Sequence, residues 1–156
     1  MRKAIKIIAI IIGLILVGLI GRCFYMIACI SCTYPPIKEW AYHGSVDQLG
    51  SSIQKFIVSN PAVSVKISRR DSSSLEDNGD RDMEIKIKKD TSNLTYGLVC
   101  DQGTNNTEIK LVSAFRNNKY GGYTGDAPGV KELLNDFEND FLVKLMKEQH
   151  IVFKSE

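Results

Sequence analysis

The sequence predicts an N-terminal transmembrane helix followed by an α+β domain, a two-layer α-β-β-β-β-α sandwich with an antiparallel four-stranded sheet. Three observations predict this fold class. The first 33 of the 156 residues are mostly apolar and contain four basic residues but no acidic one. Four later segments alternate apolar and polar residues, which is typical of half-buried strands, and the two segments that flank them repeat apolar residues at helical spacing.

We divide the chain accordingly into a membrane anchor (1–33), a juxtamembrane linker (34–44) and an extracytoplasmic α+β domain (45–156). Trp40 and Tyr42 lie in the linker. Their side chains either rest on lipid headgroups or pack on the edge of the domain, and we favour packing on the domain.

The anchor prediction depends on an uncharged run, because residues 7–21 read IIAIIIGLILVGLIG. A helix needs about 20 apolar residues to cross a hydrocarbon core of roughly 30 Å. Residues 4–30 provide them, with Arg22 near the far interface. Arg2, Lys3 and Lys6 precede the run, and positive charge stays cytoplasmic. We therefore expect a single-pass protein with a cytoplasmic N-terminus and a periplasmic or extracellular domain.

A signal sequence is the alternative for this segment, since it has the same order of charged and apolar regions. Met26-Ile27-Ala28-Cys29 resembles the lipobox of bacterial lipoproteins, although that family favours Leu at the position of Met26. The resemblance implies that Cys29 is a candidate for lipidation. Both interpretations place the domain at a membrane surface.

The first predicted helix covers residues 45–59, where Ser45 and Gln48 form a capping box and Asn60-Pro61 ends the helix. The last helix is expected to begin near Ala127 or Pro128, with Asp126 as its cap. Its apolar stripe consists of Val130, Leu133, Leu134, Phe137, Phe141 and Leu145.

Four strands are predicted between these helices, at residues 63–67, 83–87, 94–100 and 109–115. Residues 151–153 provide either a short edge strand or a tail that packs on the domain. Cys100 ends the third predicted strand and is either a small buried residue or the partner of Cys32 in a disulfide.

Charge and motifs exclude several classes of function. Residues 34–156 carry 16 basic and 18 acidic side chains, which argues against sequence-independent binding of nucleic acid. The sequence has no zinc-binding cysteine framework, no P-loop and no HExxH or GxSxG motif, so we predict no cofactor and no metal site. His43 and His150 are the only histidines, and both lie outside the predicted elements. We therefore do not expect an enzyme.

Two sets of residues are candidates for binding. Alternation places one basic set on the solvent face of the sheet, where it would dock an acidic partner or anionic headgroups. The alternative is an ordinary solvated face with cross-strand ion pairs. The second set lies in the glycine-rich loop 117–129 and would converge on a pocket. The first set is Lys66, Lys86, Lys88, Lys110 and Arg116, and the second is Tyr120, Tyr123 and Asp126.

The sequence favours a membrane-tethered, extracytoplasmic protein-interaction module without catalytic activity. Its expected partner is another envelope protein, as in an accessory or immunity-like protein. One alternative is a small-ligand-binding protein or hydrolase that uses the loop 117–129. Another is a structural membrane component whose anchor helix oligomerises through the small residues Ala9 and Gly13.

Overall fold

A computed structural model describes residues 35–70 and 79–155. The anchor prediction, the orientation of the N-terminus and the lipidation candidate Cys29 lie outside these residues. In the two described ranges, no helix is long and apolar enough to cross a membrane. The described residues belong to one compact unit.

The described residues form an α+β fold with an antiparallel sheet, as predicted, but the sheet has seven strands instead of four. The strand order is β2-β3-β4-β5-β1-β7, and β6 pairs with β5. The four predicted strands correspond to the meander β2 to β5. The strands are β1 (Lys38–Tyr42), β2 (Val63–Arg69), β3 (Arg81–Lys89), β4 (Ser92–Gln102), β5 (Thr107–Arg116), β6 (Tyr120–Gly122) and β7 (Phe153–Ser155).

Strand β1 is the main correction to the predicted fold, because it lies in the segment expected to be a linker. It pairs with β5 on one side and with β7 on the other. Trp40 and Tyr42 point into the core and are buried. The strand is short and begins with Lys38 and Glu39, so its stability comes from its two neighbours rather than from its own sequence.

The other two strands outside the meander, β6 and β7, are short and complete the sheet at its margins. The three-residue β6 lies in the loop that was expected to be irregular, and it extends the sheet beside the end of β5. The edge-strand alternative for the C-terminus is correct, although the strand starts at Phe153 and not at Ile151. The ring of Phe153 lies 5.9 Å from that of Tyr42.

Helix α1 (Val46–Ser59) confirms the first predicted helix and its capping box. The Gln48 N–H donates to Ser45 Oγ (3.2 Å), and the Ser45 N–H donates to Gln48 Oε1 (3.1 Å). The helix ends at the predicted point, where the Asn60 N–H donates to the carbonyl of Ile57.

The C-terminal helix has three segments, α2 (Val130–Phe137), a π-helical turn (Glu138–Leu142) and α3 (Val143–Gln149). It begins later than predicted, and its N-cap is Gly129 at φ 80° and not Asp126. In the π-helical turn the Val143 N–H donates to the carbonyl of Glu138, which widens the helix by one residue. Phe141 and Leu142 are consequently both buried.

Both helices cover the same face of the sheet, and aromatic rings fill the space between the layers. Phe137 stacks on Phe141 at 5.3 Å and lies 4.8 Å from Tyr96, while Phe56 of α1 meets Phe141 edge to face. The buried Tyr96 hydroxyl donates to the carbonyl of Leu133 (3.0 Å). Cys100 is a free, fully buried thiol in this layer, and Cys32 lies outside the described residues.

Candidate functional site

The opposite face of the sheet carries the candidate site. We call it the open face, because in the part of the chain that the structure describes both helices lie on the other side. In β3, the buried residues Met83, Ile85 and Ile87 alternate with the exposed residues Glu84, Lys86 and Lys88. In β2, the buried Val63 and the half-buried Val65 and Ile67 alternate with the exposed residues Ser64, Lys66 and Ser68. This alternation places Lys66, Lys86 and Lys88 on the open face, as the sequence predicted.

A β-bulge in β5 changes the alternation halfway along the sheet. Gly97 pairs with Ser113 and the next residue, Leu98, pairs with Leu111, so Val112 is an extra residue. Side chains beyond Val112 therefore point to the opposite face from the one that strict alternation assigns. Ser113 and Phe115 lie on the open face, although they were predicted to point inward.

The same bulge corrects the prediction for Arg116. This residue pairs with Leu94 and lies on the side that the helices cover. Its Nη2 atom lies 3.0 Å from Glu132 and 3.4 Å from Asp136, both on α2. The hydrogen bond to Glu132 raises the pKa of Arg116. Two signals of this shift were in the sequence, the polar Ser113 at a predicted inward position and the apolar Ala114 at a predicted outward one. Ser113 pairs with the mid-strand Gly97.

Gly97 forms the floor of a groove on the open face. The groove has a volume of about 330 Å³, and a neighbouring depression shares Glu84, Thr95 and Ser113 with it. A Cβ atom on Gly97 would lie 2.5 Å from Ser113 Oγ, so the missing side chain creates the space. Val99 and Val112 add apolar walls. Lys66, Asp82 and Glu84 also line it, so the groove combines a backbone floor with apolar, hydroxyl and charged groups.

An aromatic pair borders the depression. The Phe115 and Tyr123 rings meet edge to face with their centroids 5.2 Å apart, and Tyr123 is 57 % exposed. An exposed tyrosine held against a second ring presents a rigid apolar surface with a polar end. Tyrosines of this kind are enriched where proteins bind each other.

Positive charge on the open face is concentrated on β2 and β3. Lys86 is 58 % exposed and lies 2.7 Å from Glu84 of the same strand. Lys66 and Lys88 make no ion pair with another residue of the ranges 35–70 and 79–155, and both are exposed. Lys66 and Lys88 are therefore available to an incoming anionic group, whereas Lys86 is already paired with Glu84.

Lys110 belongs to a different, compensated part of the face. Its Nζ atom lies 2.9 Å from Asp101 and 3.1 Å from Glu108, and the hydrogen bond to Asp101 raises its pKa. Arg70 lies 2.8 Å from Asp101 and 2.9 Å from Asp82. Burial opposes ionisation of Asp101, but Lys110 and Arg70 outweigh it, and the pKa of Asp101 is lowered. This end of the face has the ion pairs that the alternative interpretation expected.

The loop 117–129 does not bring its three predicted residues together. Tyr120 packs over Gly129 at the start of α2, whereas Tyr123 lies on Phe115 at the open face. Asp126 is exposed in the turn between them. The loop therefore contributes Tyr123 to the open face, and its other two candidates lie elsewhere.

Acidic residues of the C-terminal helix connect it to the sheet. Lys89 Nζ lies 2.8 Å from Asp136 and 2.7 Å from Asp140. The hydrogen bond from Lys89 lowers the pKa of Asp140. Within the described residues, no group of three or more His, Cys, Asp or Glu side chains could hold a metal ion. His43 and His150 are exposed on separate turns.

The chain matches no protein-family model, and neither a curated protein nor a solved structure is significantly similar to it.

Proposed function

We propose that this chain is a membrane-tethered protein-interaction module without catalytic activity that binds an envelope protein through its open face. The observation that carries the proposal is the groove above Gly97, which Lys66 lines and which adjoins the depression bordered by the Phe115–Tyr123 pair. Interfaces of moderate affinity combine apolar and aromatic anchors with polar groups at their rim.

The composition of the face favours an acidic partner with an apolar side chain at its centre. Lys66 lines the groove, and Lys86 and Lys88 lie on the same face of the sheet. All three would attract carboxylates, an effect that salt weakens. Gly97 leaves room for a side chain of the partner. Such a side chain would contact Val99, Val112 and Phe115, from which it would displace water.

The location in the proposal derives from the N-terminal sequence. Residues 4–30 are apolar enough to tether the protein in a membrane, and the basic residues before them favour a cytoplasmic N-terminus. The domain would then face the periplasm or the cell exterior, where an envelope protein is the available partner. Lipidation at Cys29 would give the same location.

The proposal can be tested by capturing the tagged full-length protein from gently solubilised native membranes and quantifying what is bound. We expect a stoichiometric protein partner with the native chain and its loss with the double variant Lys86→Glu, Lys88→Glu. The matched control is Lys55→Glu, Lys147→Glu, which makes the same charge change at exposed positions of α1 and α3.

A second variant tests the groove without changing charge. Gly97→Val places a β-branched side chain, which suits a strand, into the space above the floor, and Ser113 Oγ has to rotate away. We expect this variant to fold and to lose the partner. Equal recovery of the partner by the native chain and by both open-face variants would contradict the proposal.

A further inference from the structure

Strand β2 lies at an edge of the sheet that the described residues form, and the hydrogen-bonding groups of Val65 and Ile67 along this edge can be assigned. Within the described ranges it pairs only with β3. The Lys88 N–H donates to the carbonyl of Ala62 (2.8 Å), so Ala62 and Lys88 form a hydrogen-bonded pair. In an antiparallel ladder every second pair of opposite residues is hydrogen-bonded in this way. Ser64, Lys66 and Ser68 therefore bond to β3, and the N–H and C=O groups of Val65 and Ile67 point away from the sheet.

The side chains beside this edge are apolar and half-buried. Val65 and Ile67 pack against the core from the helix-covered face. Ile67 Cδ1 lies 3.5 Å from the position that a Cβ atom would take at Gly50 of α1. An added strand would cover these side chains and pair with their backbone, which is how sheets bind extended peptides.

Lys66 determines which kind of strand fits. Its register partner Glu84 is already 2.7 Å from Lys86, so no carboxylate of the described residues neutralises Lys66. If two copies of this chain paired Val65 with Ile67 across a symmetric interface, Lys66 would face Lys66. Like charges directly opposite each other destabilise a strand pair.

We propose that β2 accepts an extended segment of another protein as an additional strand, with apolar residues on the helix side and a carboxylate opposite Lys66. This surface adjoins the groove above Gly97 and shares Lys66 with it, but it uses backbone groups at the edge of the sheet. The proposal therefore goes beyond the proposed function and does not depend on the groove.

The test uses the full-length protein in detergent and a short capped synthetic peptide that alternates valine and glutamate. The matched probe alternates valine and lysine. We expect the acidic peptide to bind about tenfold more tightly, because attraction at Lys66 replaces repulsion. Lys66→Glu, an exposed substitution, should reverse the preference. Binding should also slow amide hydrogen exchange at Val65 and Ile67.

A proline variant identifies the edge itself. Val65→Pro removes an N–H that points away from β3 and leaves the ladder intact, so an edge strand tolerates it. We expect this variant to lose the acidic peptide, whereas the control Val65→Ala, which keeps the N–H, retains it. If the proline variant fails to fold, the proposal is tested by the reversed peptide preference of Lys66→Glu and by amide hydrogen exchange at Val65 and Ile67.

Three results would overturn the proposal. They are equal affinity for the two peptides, undiminished binding to a folded Val65→Pro variant, and a dimer of the native chain that this variant dissociates. The last result would assign the edge to a second copy of the chain.

Discussion

Trp40 of β1 and Phe137 of α2 pack against each other with their ring centroids 5.8 Å apart. This contact connects the predicted linker, which precedes the predicted domain in the sequence, to the C-terminal helix of that domain. Trp40 is the only tryptophan in the sequence and is 5 % exposed. Its fluorescence therefore reports on the packing of the described domain, and its removal tests whether β1 is part of the core.

We expect Trp40→Ala to lower the free energy of unfolding by about 3–5 kcal/mol, because it leaves a cavity beside Phe137. The measurement is denaturant unfolding of the full-length protein, followed by circular dichroism. Val58→Ala is the control, since Val58 is 86 % exposed and its truncation should change stability by less than about 0.5 kcal/mol. Similar unfolding curves for the two variants would mean that β1 contributes little.

The capping box of α1 gives a second prediction. Ser45→Ala removes the acceptor for the Gln48 N–H and should destabilise the protein by about 1 kcal/mol. Ser59→Ala, at the exposed last residue of the same helix, is the control and should be neutral. Both values come from the same denaturation experiment. A neutral Ser45→Ala would show that water replaces the cap without loss.

The ion pairs of Lys89 predict a dependence of stability on pH. Lys89 lowers the pKa of Asp140, so the Asp140 carboxylate takes up a proton less readily in the folded protein than in the unfolded chain. The stabilisation is complete above the unfolded-state pKa of about 3.9 and is lost as the pH falls through the lower folded-state value.

We expect Lys89→Met to reduce stability by about 0.5–1 kcal/mol at neutral pH and to flatten the decline in stability below the unfolded-state pKa of about 3.9. The pairs are partly exposed, so high salt should shrink the difference. Lys131→Met removes a charge from the exposed side of α2 and serves as the control. Parallel pH profiles for the native chain and Lys89→Met would refute the assignment.

Burial makes the Cys100 thiol unreactive in the folded protein. The side chain is fully buried, and burial raises the pKa of its thiol to about 12. In a chain with Cys23, Cys29 and Cys32 replaced by Ser, we expect a thiol reagent at pH 8 to label Cys100 only as fast as the domain opens. A matched chain with Cys100→Ser and Ser59→Cys should react at once. Equally rapid labelling of both chains would contradict this prediction.

Patterns that a single segment carries were predicted well. Alternation in residues 63–67 and 83–87 identified β2 and β3, and the pair Ser45 and Gln48 identified the start of α1. These features depend on neighbours two to four residues apart. Lys66, Lys86 and Lys88 were placed correctly on the open face for the same reason.

Features that depend on distant strands were missed. β1 has five residues and is held by β5 and β7, so its own sequence carries little of the signal. Arg116 was assigned to the wrong face because the register between β4 and β5 shifts at Gly97. The groove, whose floor is a missing side chain, likewise became apparent only when Ser113 was placed beside Gly97.

The extra residue in β5 also limits how this domain can diverge. The odd-numbered residues of β5 face the core before Val112 and the open face after it. Mutations at these positions are therefore selected in opposite surroundings on the two sides of the bulge. A lineage that lost one residue here would have to exchange the chemical character of Ser113, Ala114 and Phe115 together. We therefore expect the bulge to outlast much of the surrounding sequence during evolution.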